Sequence, residues 1–159
     1  MNDATNLILN SALGAELSQD EAKKISEMMH LRELQDDEYL IEEGTSDDAL
    51  HVILGGKLEV VKRTASDGMA SLAILREGDI AGELSFIDGL QHTVGLRALS
   101  SSLVLSLQRA DFEAIVEEDP RLVYKVMRAV ARSAHKIVHH MNSECIELTN
   151  YIFKQHGRY

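Results

Sequence analysis

Gly82-Glu83-Leu84-Ser85 is the stretch of this chain best equipped for chemistry. Glycine has no Cβ, so the backbone there can come close to a ligand. The carboxylate of Glu83 accepts hydrogen bonds from a hydroxyl, and the amides after it are free donors where the chain turns. An acid beside a turn of open amides can hold a hydroxyl and an oxyanion together, as a sugar phosphate presents them. The plain alternative is a surface carboxylate that caps a turn.

Other candidate side chains point away from catalysis. His135 and His139 lie one helical turn apart with His140 beside them, but a third ligand of clear spacing is missing, so we read no metal site there. The β-region has only His51 and His92 as histidines, and no pair lies two residues apart. That argues against a catalytic metal of the kind cupins hold. Neither a nucleophile–base arrangement nor a P-loop is present, so the chain reads as non-enzymatic, with no catalytic and no metal-binding residues. Cys145 is the single cysteine, which rules out an internal disulfide and fits a reducing, cytoplasmic setting.

The elements that must position this stretch are legible from periodicity. Ser18 and Glu21 have capping-box spacing, and Ala22, Ile25, Met28 and Met29 recur at helical intervals after them. Leu7, Ile8, Leu9 and Leu13 predict a short helix before that. From about Leu34 to Leu107, short apolar segments alternate with turns at Gly44, Gly55-Gly56, Asp67-Gly68, Gly78-Asp79 and Asp88-Gly89. The segments are 39–41, 51–54, 57–62, 70–75, 94–98 and 103–107. Strands so regularly spaced predict a β-roll or jelly roll rather than βαβ units. Residues 111–116 predict a short helix, and Pro120 opens a long one to about Lys154 without an interior Gly or Pro.

On that helix Val130, Ala134, Ile137, Met141, Cys145, Leu148 and Ile152 follow a 4-3-4 spacing, which keeps one apolar stripe on one face. A helix of about 34 residues is roughly 50 Å long, more than a small β-domain can cover, so the stripe predicts a homodimer. The expected fold class is α+β, mainly β: a roll with N-terminal helices over 1–119, the long helix over 120–154 and a tail over 155–159.

The net charge of −10 argues against direct nucleic-acid binding. Arg121, Lys125, Arg128, Arg132 and Lys136 read as a solvated helix face. No apolar run approaches the roughly 20 residues that cross a bilayer, and the N-terminus shows no signal-peptide pattern.

Taken together, Gly44, Gly55-Gly56-Lys57-Leu58-Glu59-Val60, Leu75-Arg76-Glu77-Gly78-Asp79-Ile80, Gly82-Glu83-Leu84-Ser85, Arg97-Ala98 and Asp111-Phe112 before Pro120 resemble the cyclic nucleotide-binding domain of the catabolite-activator and FNR type. The resemblance covers about residues 14 to 142, without the helix-turn-helix DNA-binding domain of the family's transcription factors. It implies a phosphate-binding cassette at Gly82, Glu83, Leu84 and Ser85, with Glu83 on a ribose hydroxyl and the next amides opening a helix toward an anion. His92 then falls where binding members carry an arginine, and Thr93 where they carry a small or hydroxylated residue. The implied ligand is a cyclic nucleotide, cAMP or cGMP, with no further cofactor required.

Two departures qualify that implication. Arginine offers phosphate a permanent charge and a forked donor, which histidine does not. Losing one charge-assisted hydrogen bond costs roughly 1.5–3 kcal/mol, so weaker binding or a different anion is expected; Arg97 is a substitute cation only if its strand turns it inward. The long helix also has apolar Ile137 and Val138 where responsive members present hydroxyls to adenine. The expected function is a regulatory module that senses a nucleotide-like anionic ligand and signals through its C-terminal helix to a partner protein. The alternative is a degenerate scaffold that no longer binds cyclic nucleotide.

Overall fold

In the computed structural model, which describes residues 2–156, the chain runs α1 (Asn2–Leu9), α2 (Gln19–Glu27), β1 (His30–Leu34), β2 (Tyr39–Ile41), β3 (Ala49–Gly55), β4 (Lys57–Arg63), β5 (Met69–Arg76), β6 (Ile80–Ala81), α3 (Glu83–Asp88), β7 (Gly95–Ala98), β8 (Ser102–Gln108), α4 (Arg109–Glu113) and α5 (Pro120–His156). The strands form two antiparallel four-stranded sheets, ordered β1-β8-β3-β6 and β2-β7-β4-β5. This is the expected mainly-β α+β roll with helices at both ends.

Strand alternation builds two cores from β3 and β8. Leu50, Val52 and Leu54 of β3 join Leu105 and Leu107 of β8 against Ile8, Ile25, Phe112, Leu122 and Val126 from the helices and Leu13 from the turn between α1 and α2. The opposite faces send Ile53 and Val104 into the roll, where they meet Leu34, Ile41, Leu58, Leu96 and Ala98. The same alternation turns His51 and Ser106 inward as well, and they are register partners. Two polar residues at inward positions are the feature that shapes the site.

Some boundaries differ from the sequence expectation. The β-region begins at His30, because β1 pairs with β8 from His30↔Ser106 to Leu34↔Ser102. In β1 only Leu34 is buried, so alternation carried no signal for that strand. Two-residue β6 is too short to show a period. The short helix begins at Arg109 rather than 111. The long helix continues through His156, which places Gln155 and His156 in the helix instead of a tail; residues 157–159 lie outside the described residues.

The break expected between 119 and 120 separates elements but not packing. Leu122, Val126, Ala129 and Val130 of α5 are buried in the larger core. Three residues of the basic run at the start of α5 pair with acids of the N-terminal segment. Lys125 Nζ donates to both carboxylate oxygens of Glu21 at 2.8 and 2.7 Å, and Arg128 and Arg132 both pair with Glu16. The Lys125 ammonium, followed by the amide of Ser18, holds the Glu21 carboxyl below its ordinary value. From His135 to Lys154 every residue of α5 is exposed. At about 1.5 Å per residue the helix therefore stands roughly 30 Å clear of the body.

Candidate functional site

The cassette sits at the junction of roll and helices. Gly82 has φ +77° and caps α3, and a Cβ there would lie 2.6 Å from the carbonyl oxygen of Ala49 and 3.1 Å from Cδ2 of His51. Glycine is thus required twice, for the left-handed backbone and for the close approach to β3. The first α3 amide with a backbone acceptor is that of Phe86, which donates to the carbonyl of Gly82 at 3.0 Å. Phe86 also packs against Phe112, with ring centroids 5.4 Å apart, which fixes α3 to α4. Leu84 is exposed, whereas Ser85 is buried and its hydroxyl donates to the Leu90 carbonyl at 2.7 Å.

Glu83 is buried at 5 % exposure. Its carboxylate accepts from the hydroxyl of Ser133 on α5 at 3.3 Å. Burial pushes the Glu83 carboxyl above its ordinary value, against the opposing influence of its own amide, Ser133 and His51. The residue that the resemblance assigns to a ribose hydroxyl is therefore in contact with the long helix. The sequence reading looked for an α5 hydroxyl at 137–138; the fold supplies one a turn earlier, and it meets Glu83.

His92 does not face open solvent; its side chain is 7 % exposed. Its Nε2–H donates to Oδ1 of Asp47 at 2.7 Å, while Nε2–H of His51 donates to Oδ2 of the same carboxylate at 2.8 Å. An ionised carboxylate is an acceptor only, so both imidazoles carry a proton on Nε2. In the neutral ring that leaves Nδ1 of His51 as the acceptor, and the Ser106 hydroxyl, 2.8 Å away, donates to it. Desolvation alone would raise the Asp47 carboxyl, but the hydrogen bonds and charges of His51 and His92 outweigh it and lower the pKa to about 2.

The loop that carries Asp47 is held from a second side. Arg109 Nη2 donates to Oδ2 of Asp48 at 2.7 Å, and the same guanidinium lies against Gly89 at the end of α3. Backbone bonds between His92 and both Gly44 and Thr45 close the arrangement. Thr93 is exposed, and its carbonyl accepts from Lys62 at 2.6 Å.

Gly82, Glu83 and His92 thus converge on His51, the last through Asp47, Ser85 is turned into the α3 turn toward Leu90, and Leu84 and Thr93 face outward. Arg97 does not substitute for the missing arginine. It pairs with Glu59 at 2.8 Å and Asp37 at 3.0 Å on the outside of the roll. Asp47, Ser106 and Ser133 were missed by the sequence reading, and His51 was weighed only as a metal ligand. Alternation along β3 and β8 is the signal that could have found His51 and Ser106. Among the described residues no group of three His, Cys, Asp or Glu is arranged to hold a metal ion.

Comparison with known proteins agrees with this architecture. Neuropathy target esterase sws of Drosophila virilis is 28% identical over 152 residues, covering 89% of this chain but 10% of that protein. The chain thus spans about a tenth of the length of such relatives. A cyclic nucleotide-binding domain from Methylobacillus flagellatus KT superposes with a TM-score of 0.81 at 22% identity, covering 91% of this chain and 82% of that one. The regulatory domain of Toxoplasma gondii PKA, crystallised with cAMP, gives 0.64 at 21% identity over 73% of this chain and 44% of that one. These two structures establish likeness of fold. The model of the cyclic nucleotide-binding domain matches residues 31–119, more than half of the sequence, and the chain therefore belongs to that family.

Proposed function

We propose that this chain is a non-enzymatic regulatory module that senses a nucleotide-like anionic ligand at the cassette and signals through α5 to a partner protein. The observation that carries the reading is the Glu83–Ser133 contact between cassette and long helix. A ribose hydroxyl that donates to Glu83 competes with Ser133 for the same carboxylate. Ligand binding is thereby coupled to how α5 seats on the roll, which is the bistable element such signalling needs. A cyclic nucleotide such as cAMP or cGMP is the first ligand to test, given the family. No cofactor is invoked, and the esterase activity named for much longer relatives is not transferred to this chain. A cytoplasmic setting fits the single cysteine.

The output surface is the outer part of α5. Ile137, Met141, Leu148 and Phe153 are all exposed there, an apolar run that supports homodimerisation through this helix. Among the described residues no helix is long and apolar enough to cross a membrane.

A second reading is favoured by Asp47. His92 and His51 already share an internal carboxylate, which suits a scaffold whose dimer or partner surface is its function. Isothermal titration of cAMP and cGMP into the wild type and Glu83→Ala separates the two readings. Saturable heat with the wild type that is lost in Glu83→Ala supports the sensor. No heat with either nucleotide at millimolar ligand supports the scaffold.

A further inference from the structure

We infer that His51 and His92 form an anion seat whose built-in occupant is the carboxylate of Asp47, and that a phosphoryl-type oxyanion enters only by displacing it. This deepens the proposed function, because it names the regulation of the same site, and it rests on that reading only for the identity of the natural ligand.

The seat has three properties of a recognition site. Its donors are two imidazole N–H groups, on side chains 4% and 7% exposed, that meet a single anion from different elements, β3 and the segment after α3. Its walls are packed: the Ser106 hydroxyl orients the His51 ring at 2.8 Å from the neighbouring strand, and Gly82 brings the backbone within contact of the same ring. Its occupant sits at the edge of the seat that meets water. Asp47 lies on the β2–β3 connection and its side chain is 33% exposed, so an anion can reach the seat from solvent along the path the carboxylate vacates.

The occupant also explains why a neutral-capable side chain can stand at position 92. A permanent cation is needed where an incoming anion must be drawn in; two N–H donors suffice where the anion is tethered to the chain and its effective concentration is high. Asp47 thereby acts as a competitor. Any external oxyanion must outbid a carboxylate that holds two charge-assisted hydrogen bonds.

Inorganic phosphate is the probe. Titrated calorimetrically into the wild type, Asp47→Ala and Asp47→Ala/His92→Ala, it is expected to bind Asp47→Ala about ten- to a hundredfold more tightly than the wild type, the worth of one charge-assisted hydrogen bond. The double variant is expected to lose that gain. Equal or weaker phosphate binding by Asp47→Ala, or a gain that survives loss of His92, overturns the inference. Circular dichroism checks that the variants fold. If Asp47→Ala does not, imidazole proton–nitrogen spectra of the wild type decide: His51 and His92 signals moving together to saturation with phosphate support the seat, and signals that stay put refute it. A folded Asp47→Ala that gains phosphate binding but takes no cyclic nucleotide at millimolar ligand defeats the nucleotide reading and leaves the seat standing.

Discussion

Glu83→Gln isolates the energetic cost of the cassette. Glu83 is 5 % exposed, and apart from its own amide its carboxylate is met by the Ser133 hydroxyl, at a long 3.3 Å. An ionised carboxylate so placed has lost water without recovering full compensation, which is why burial raises its pKa. Glutamine keeps the shape and the acceptor for Ser133 while removing the charge. We expect the variant to be more stable near pH 7 by about 1–2 kcal/mol, the usual yield of relieving one such defect, or roughly 2–8 °C in Tm for a domain of this size. The pH dependence carries the diagnosis. A carboxyl whose folded pKa is raised binds its proton more tightly when folded, so its stabilising share is present below the unfolded value of 4.5 and lost as pH rises through the folded value. The advantage of glutamine is therefore greatest near neutrality and closes below the ordinary carboxylate range. Urea unfolding followed by circular dichroism near pH 7 and near pH 4 measures both. A wild type at least as stable as Glu83→Gln near neutrality, or a gap of equal size at both pH values, would refute the reasoning.

Acid denaturation reports Asp47 with the opposite sign. Its folded pKa of about 2 lies below the ordinary 3.8, so its contribution is present above about pH 4 and disappears as pH falls toward 2. The difference corresponds to roughly 2.4 kcal/mol at full strength, and with a third of the side chain in water we expect about half of that. Asp47→Asn should accordingly show a shallower loss of stability in that window, and an acid limb parallel to the wild type's counts against the His51–Asp47–His92 network. On α5, Met141→Lys puts a charge on the exposed stripe at a residue 61% exposed, so the monomer should fold unchanged. Sedimentation velocity is expected to find the wild type dimeric and the variant monomeric; a monomeric wild type ends the coiled-helix account of the output surface.

How far these features were legible in the sequence follows from the range of the interactions involved. The short apolar segments 51–54 and 103–107 are a local pattern, and they place the sandwich correctly because both faces of β3 and β8 are buried. Strand β1 escapes the same reasoning since four of its five residues are exposed, and it is a strand only because β8 offers it an edge. Gly82 and Glu83 stand out in the sequence because they are adjacent, and the fold places them at the start of one short helix. Asp47 and His92 are 45 residues apart and Glu83 and Ser133 are 50 apart, and each pair exists only after the roll closes.

The histidine at position 92 shows the consequence. Viewed alone, an arginine replaced by histidine is a missing cation, and the deficit is assigned to an external phosphate. Within the fold the exchange has a counterpart on another loop, where Asp47 brings a negative charge and β3 brings a second imidazole. The local charge balance is then met inside the chain, and Arg97, the nearest candidate for restoring the lost cation, is held by Glu59 and Asp37 elsewhere. A site that satisfies its own electrostatics in this way resists a ligand through competition rather than through a lack of donors. On that proposal a change at position 47 is expected to restore anion affinity that histidine at position 92 gives up, a coupling between two residues that neither residue's identity discloses.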